Sequence, residues 1–158
     1  MINGIYGQTI QAKISVEESR INTAVAQANI KYLAKFTHDT TKDIKYCYPH
    51  LSAKTDRSIT FAIAHSGTEN LYNGILNFKP YGFWTYEIYE VSWIGTMTLT
   101  ASTAPETETE VLAVNNNNGV VQGLVHRGKM KIQETIGSEQ VIYTETSETA
   151  TTNYLYTD

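Results

Sequence analysis

Strict alternation of apolar and polar residues is the feature that most limits what this chain can fold into. It is clearest in GFWTYEIYEV (residues 82–91), where Trp84, Tyr86 and Ile88 occupy every second position. Successive side chains of a β-strand point to opposite faces, whereas an amphipathic helix repeats its apolar residues every three or four positions. The alternation therefore predicts a β-strand, and we expect Trp84, Tyr86 and Ile88 to point into a core.

The same period recurs along the chain and predicts about seven strands. The predicted strands are 9–16, 30–37, 43–48, 56–64, 75–78, 83–92 and 124–132. A turn-forming HDTTK separates the second from the third and predicts a hairpin, which Pro49 is expected to end because proline cannot donate to a ladder. Residues 17–29 lack the alternation and are expected to form a connection with one helical turn at most. Seven strands are typical of an immunoglobulin-like or fibronectin-like β-sandwich, which makes the predicted fold all-β.

Two segments differ in composition from the rest. Residues 95–119 combine threonine repeats, alternating glutamates and the run NNNNG, a turn signal. A projecting, elaborated hairpin loop is expected here, paired through Met97, Leu99, Val111, Leu112 and Val114. Residues 134–158 form a Thr-rich extension that contains no Lys or Arg. The predicted organisation is a β-sandwich domain over 1–133, which includes the 95–119 insertion, and an extended C-terminal tail over 134–158.

Charge and cysteine content exclude several classes of protein. The net charge of −4 provides no basic field, so neither nucleic acid nor an anionic membrane surface is an expected partner. The single cysteine, Cys47, rules out an intrachain disulfide and is predicted to be a small buried residue. The start, MINGIYGQTI, lacks the segments of a signal peptide, which predicts a soluble protein that does not use the usual export route.

Residues able to support catalysis or metal binding are scattered along the chain. The candidates are His38 with Asp39, His50, His65 with Ser66, His126 with Arg127, and Cys47. Their spacing matches no nucleophile elbow or zinc motif, so no catalytic, cofactor or metal site is predicted. The glutamates at 106, 108 and 110 could attract Ca²⁺, but without an Asp/Asn/Gly loop pattern the favoured interpretation is a charged segment that discourages edge pairing.

Tyrosine is abundant, with 11 residues. Exposed tyrosines could stack on sugar rings or anchor a protein interface. Tyr143, Tyr154 and Tyr156 lie in the Thr-rich tail, which could add a strand to the sheet of a neighbouring protein, and they are the candidate partner-binding residues. The alternative is that the tail pairs within its own domain.

The order of these segments also resembles a known family. YLAKFTHDTTKDIKYCYP, DRSITFAIA, GFWTYEIYEV, GLVHRGKMKI and IYTETSETATTNYLY together are similar to small immunoglobulin-like structural proteins of tailed bacteriophages. The resemblance implies a virion protein assembled in the bacterial cytoplasm, a head auxiliary or decoration subunit that binds the major capsid protein or other virion proteins, alone or as a homo-oligomer. The alternatives are a tail or fibre component, a carbohydrate-binding or host-adhesion module, and a small hydrolase.

Overall fold

Two β-sheets make up most of the described chain, which comprises residues 1–55 and 57–134 of a computed structural model. The strands are β1 (Ile2–Ile5), β2 (Ile10–Ile14), β3 (Ile30–His38), β4 (Ile44–Cys47), β5 (His50–Lys54), β6 (Ile59–His65), β7 (Ile75–Leu76), β8 (Gly82–Ser92) and β9 (Val120–Gln133). Short 3₁₀ turns lie in the connections at Glu17–Ser19, Gln27–Asn29 and Leu71–Asn73. The predicted all-β class is confirmed. Within the described residues, no helix has the length and apolar character needed to cross a membrane.

The larger sheet has the strand order β1-β9-β8-β3-β4, and the smaller has the order β2-β6-β5, with β7 beside the end of β6. All neighbours pair antiparallel except β1 with β9 and β7 with β6, which pair parallel. The predicted hairpin is present as β3 and β4. The two sheets enclose a common apolar core, as in a β-sandwich.

The inner face of the larger sheet carries the aromatic residues predicted to be buried. Trp84, Tyr86 and Ile88 are all buried, which confirms their predicted direction. The core joins the sheets through contacts such as the edge-to-face pair of Tyr32 in β3 and Phe61 in β6, whose ring centroids lie 5.6 Å apart. Removal of this apolar surface from water is the main force that holds the two sheets together.

The end of β8 departs from the alternation, because Glu90, Val91 and Ser92 are all buried. The β8–β9 register shifts between Ile88 and Tyr89 and again between Glu90 and Val91, since β9 has an extra residue at each point. Such bulges increase local twist and change the direction of side chains. The end of β8 is therefore covered on both faces.

Two strands were missed by the sequence analysis. β1 pairs only with β9, more than a hundred residues away along the chain, and its four residues show no extended alternation. β4 ends at Cys47, before Pro49, as predicted, but β5 begins at His50, in a segment for which no strand was predicted. Pro49 lies between the ladders, where the chain passes from β4 in the larger sheet to β5 in the smaller one, and its missing N–H costs neither sheet a hydrogen bond.

The predicted hairpin within 95–119 was also wrong. No strand lies between β8 and β9 in this fully described segment. Residues such as Met97 and Leu99 instead pack over the outer face of the larger sheet. We call residues 94–119 the strap. The predicted extension lies outside the described residues apart from Glu134, and its boundary stays a prediction.

Candidate functional site

The strap is held on the outer face of the larger sheet by a second apolar cluster. Its buried members are Leu33, Tyr48, Val91, Trp93 and Ala104. The Trp93 indole Nε1 donates to the Thr103 carbonyl at 3.1 Å, and the Gly119 backbone N–H donates to the same carbonyl at 2.7 Å. A Cβ on Gly119 would lie 2.6 Å from the Trp93 ring, so only glycine allows this close approach.

Glutamates of the strap accept hydrogen bonds from tyrosines of the framework. The Tyr72 hydroxyl donates to Glu106 at 2.6 Å, and the Tyr46 hydroxyl donates to Glu108 at 2.6 Å. Lys35 of β3 also binds Glu108. Burial and the neighbouring Glu106 raise the pKa of Tyr72 to about 12, so the phenol is a protonated donor at neutral pH.

This arrangement corrects the interpretation of the glutamates as solvated charges on an exposed strand. Glu106 and Glu108 are bound to framework side chains, and Glu110 accepts a hydrogen bond from the Glu106 backbone N–H at 2.5 Å. The segment is irregular and forms no sheet edge. The carboxylates therefore tie the strap to the fold.

Beyond these contacts, three residues of the strap and the first residue of β9 expose apolar side chains to solvent. Ile94, Val111, Val114 and Val120 are 74%, 92%, 107% and 55% exposed, and we call these four residues the apolar tip. Beside them lies a concavity of about 260 Å³ whose lining, drawn from residues 94 and 111–120, contains no charged residue. Clustered exposed apolar residues mark interaction surfaces more often than single ones do. The apolar tip is the candidate functional site.

The signal for this site was present in the sequence but was assigned to a different role. Val111, Leu112 and Val114 were interpreted as strand residues of a hairpin, since apolar residues flanking an Asn-Gly turn are typical of one. The run VLAV (residues 111–114) has neither the two-residue period of a half-buried strand nor the period of a helix. That feature could have identified the tip.

The predicted partner-binding residues, Tyr143, Tyr154 and Tyr156, lie outside the described residues, so their role stays a prediction. Among the described aromatic residues, only Phe83 is exposed, at 49%, and the Lys131 ammonium lies 5.9 Å from its ring centroid. The other described tyrosines and tryptophans are buried or half-buried. These side chains are accounted for by the core and by contacts between segments of the fold.

Two of the histidines considered for catalysis, His38 and His65, pack within the fold, whereas His50 is exposed at the start of β5. His38 is buried; its Nδ1 accepts from the Thr41 N–H at 3.1 Å, which leaves Nε2 to donate to the Tyr81 carbonyl at 3.1 Å. The adjacent Asp39 instead accepts from Lys129 at 2.7 Å. His65 packs edge-on against Tyr6, with ring centroids 4.4 Å apart.

The remaining candidates are also separate from one another. His126 stacks on the Tyr86 ring, and burial lowers its pKa. Cys47 is fully buried, as predicted, and burial raises the pKa of its thiol, which keeps it protonated. The described part of the chain contains no group of three or more His, Cys, Asp or Glu side chains placed to hold a metal ion.

Comparison of the chain with protein-family models, curated proteins and solved structures found no match. A functional assignment therefore depends on the residues themselves. The strongest feature among them is an apolar, uncharged tip on a strap that side-chain contacts hold in place.

Proposed function

We propose that this chain is a virion structural protein of a tailed bacteriophage, a capsid auxiliary or decoration subunit that binds the head through protein–protein contacts. The observation that carries the proposal is the apolar tip, where four exposed side chains surround an uncharged concavity. The placement in a phage particle is supported by the resemblance of the sequence to immunoglobulin-like phage proteins. No catalytic step is part of the proposal.

The strand order supports the immunoglobulin-like part of this proposal. In immunoglobulin-type sandwiches one sheet contains strands C, F and G, and the other contains A, B, E and D. Here β3, β8 and β9 follow the order C-F-G, and β2, β6 and β5 follow the order B-E-D. In this assignment the strap connects F to G, at an end of the sandwich where binding loops occur in variable domains.

The size of the tip favours binding in many copies. Full burial of one Val or Ile side chain stabilises a complex by about 1.5–3 kcal/mol, so four give about 6–12 kcal/mol before costs. Association itself costs about 4–15 kcal/mol in lost freedom of motion. A single subunit would therefore bind weakly, and a homo-oligomer that engages several adjacent lattice sites at once would be retained through avidity.

The test combines particle analysis with substitution of the tip. Mass spectrometry of purified particles from the phage that encodes the chain is expected to detect it on heads rather than on isolated tails. Val111→Asp and Val114→Asp should each reduce head occupancy at least tenfold. Ile44→Asp, at an exposed apolar residue of β4, is the matched control and should retain binding.

Two results would contradict the proposal in different ways. Absence of the chain from particles would rule out a virion role, and its presence on tails alone would favour the tail or fibre alternative. Unchanged occupancy of the Val114→Asp variant would show that the tip is not the contact surface.

The tail makes a separate contribution to this proposal. Tyr143, Tyr154 and Tyr156 would add a strand to the sheet of a neighbouring virion protein. A chain truncated after Tyr143 should then decorate heads with reduced occupancy. Unchanged occupancy would reject strand addition by the tail without affecting the assignment of the tip.

A carbohydrate-binding module is the second candidate, favoured by the exposed ring of Phe83 beside Lys131. Sugar rings stack on exposed aromatic faces of this kind. Binding to a glycan array that is lost on Phe83→Ala and retained in Val114→Asp would support this candidate over capsid binding.

A further inference from the structure

The outer face of the larger sheet is covered by the strap only in part. The strap reaches as far as Lys35 and Tyr46, whose side chains bind Glu108. Closer to the end of β9, Phe83 of β8 is 49% exposed and lies opposite Lys131 of β9. This part of the sheet presents side chains that no described segment covers.

Cations occupy this uncovered face of β9 at every second position. Arg127, Lys129 and Lys131 point outward, whereas Met130 between the two lysines is fully buried. Alternate residues of a strand are about 7 Å apart, which is within the screening length of about 8 Å at physiological ionic strength. The three charges therefore act together on one ligand. We call Phe83, Arg127, Lys129 and Lys131 the basic face.

Neighbouring carboxylates neutralise the basic face only in part. Asp39 accepts from Lys129 at 2.7 Å. Glu87 lies 3.7 Å from Arg127 Nε but is shared with a lysine of β3. Lys131 has no ion-pair partner among the described residues, and its ammonium lies 5.9 Å from a ring centroid instead. The face keeps an excess of positive charge.

Negative charge is concentrated in the C-terminal segment of the same sequence. All 12 Lys and Arg residues precede position 134, whereas the last 25 residues contain Glu134, Glu139, Glu145, Glu148 and Asp158. Such asymmetry is typical of a chain with an acidic tail. A long polyanion such as nucleic acid would be repelled by the chain as a whole, which carries a net charge of −4. A short acidic segment is the better match for this face.

The acidic segment starts beside the basic face. β9 ends at Gln133, two residues beyond Lys131. The face extends about 13 Å along β9, and residues 135–158 can span up to about 80 Å. A segment attached this close has an effective concentration on the order of millimolar, far above that of a second copy in dilute solution. A weak contact therefore forms within one chain before it forms between two.

We propose that the basic face binds the acidic segment 135–158 of the same chain. Carboxylates of the segment pair with the cations of β9, and an aromatic ring of the segment covers Phe83. The contact occurs in the isolated subunit and does not depend on capsid binding. Strand addition to a neighbouring virion protein would require the segment to leave this face.

The test locates the segment by paramagnetic relaxation in the full chain. A nitroxide is attached at Thr151→Cys, since the natural Cys47 is fully buried. Relaxation enhancement at the amides of Phe83, Lys129 and Lys131 should be at least threefold greater than at amides of β2 and β5 in the smaller sheet. Equal enhancement in both sheets, or enhancement centred on the edge strand β4, would overturn the proposal.

Charge reversal makes the result specific to the basic face. Lys131→Glu should lower the enhancement at Phe83 at least twofold. Lys13→Glu, the same change at an exposed lysine of β2 in the smaller sheet, should leave it unchanged. In about 1 M sodium chloride, where the screening length is about 3 Å, the enhancement should also fall at least twofold. Equal effects of the two reversals, or no response to salt, would reject an electrostatic contact at this face.

A mixed sample separates the same chain from a second copy as the source of the segment. Spin-labelled chains without isotope label are mixed with isotope-labelled chains that carry no nitroxide, so only contacts between chains produce enhancement. None is expected at the basic face. Enhancement as large as in the singly prepared sample would assign the segment to a second copy and overturn the contact within one chain. No capsid is present in these measurements, so their outcome is separate from that of the head-binding test.

Discussion

The two faces of the larger sheet are both covered, but by different means. The inner face packs Trp84, Tyr86 and Ile88 against another sheet, through apolar contacts alone along most of its length. The outer face packs Trp93 against an irregular strap, which depends on tyrosine–glutamate hydrogen bonds as well as on apolar burial. The inner cover is regular secondary structure, whereas the outer cover is one connection between adjacent strands.

This difference predicts different responses to damage. If the inner core fails, the two sheets separate and nothing folded remains. If the strap detaches, the sandwich still has its core, so the loss of stability is limited to the free energy with which the strap docks. The apolar tip therefore lies mostly on a segment that can detach from the outer face without unfolding the sandwich.

The largest effect is expected from Trp84→Ala. Trp84 is fully buried between the sheets, and truncation of such a residue costs about 3–5 kcal/mol in the free energy of unfolding. Urea denaturation should show the loss as a lower midpoint, with every spectroscopic probe changing together. A loss below 1 kcal/mol would mean that the inner core tolerates a cavity of this size.

Trp93→Ala should destabilise the protein less than Trp84→Ala, by about 3 kcal/mol at the lower end of the range for such truncations, although Trp93 is equally buried. The variant can release the strap and keep the sandwich. Limited proteolysis should therefore cut within residues 94–119 while both sheets stay protected from hydrogen exchange. Global unfolding at the same denaturant concentration as Trp84→Ala would remove the distinction between the two faces.

Glu90→Gln tests Glu90, a fully buried charged residue on the otherwise mainly apolar inner face. The Glu90 carboxylate accepts two backbone N–H groups, and a glutamine amide would place its own N–H against one of them. A loss of about 1–2 kcal/mol is expected from the unpaired donor. Hydrogen exchange at Ile21 and Asn22 should accelerate, whereas amides of β6 should change only with global stability.

The smallest effect is a pH dependence of strap docking through Glu108. Burial opposes ionisation of Glu108, but Lys35 and Tyr46 together outweigh it, and the pKa of Glu108 lies below its usual 4.5. A carboxyl with a lowered folded-state pKa contributes stability that is fully present above the unfolded-state pKa and is lost as the pH falls through the folded-state pKa.

Strap docking should therefore weaken below about pH 4.5, by about 1 kcal/mol from this residue. Protease cleavage within the strap, measured at pH 7 and after a pulse at pH 4, should increase in the wild type. Glu108→Gln should be more sensitive at pH 7 and show a smaller change with pH. An equal change in both proteins would assign the effect to other carboxyls.

Much of the inner face could be predicted from the sequence. Side-chain direction along a strand depends on positions two residues apart, so the alternation in residues 83–88 was sufficient to place Trp84 and Tyr86. The turn between β3 and β4 was readable for the same reason, because its residues are adjacent in the chain.

The outer face and the candidate site could not be predicted in this way. The strap is held by contacts such as Tyr46 with Glu108, which are 62 residues apart, and Tyr48 with the Pro105 carbonyl, which are 57 apart. No local pattern records these pairs. The glutamates consequently were interpreted as solvated, and Val111 and Val114 as paired strand residues.

The sequence by itself determined that the chain forms β-strands and which side of β8 faces the core, because both follow from a period of two residues. Only the tertiary structure decided that β1 joins β9, that the strap folds over the outer face, and that its tip exposes Val111 and Val114. These outcomes depend on contacts between distant segments, whose free energy is available only after the sheets have formed.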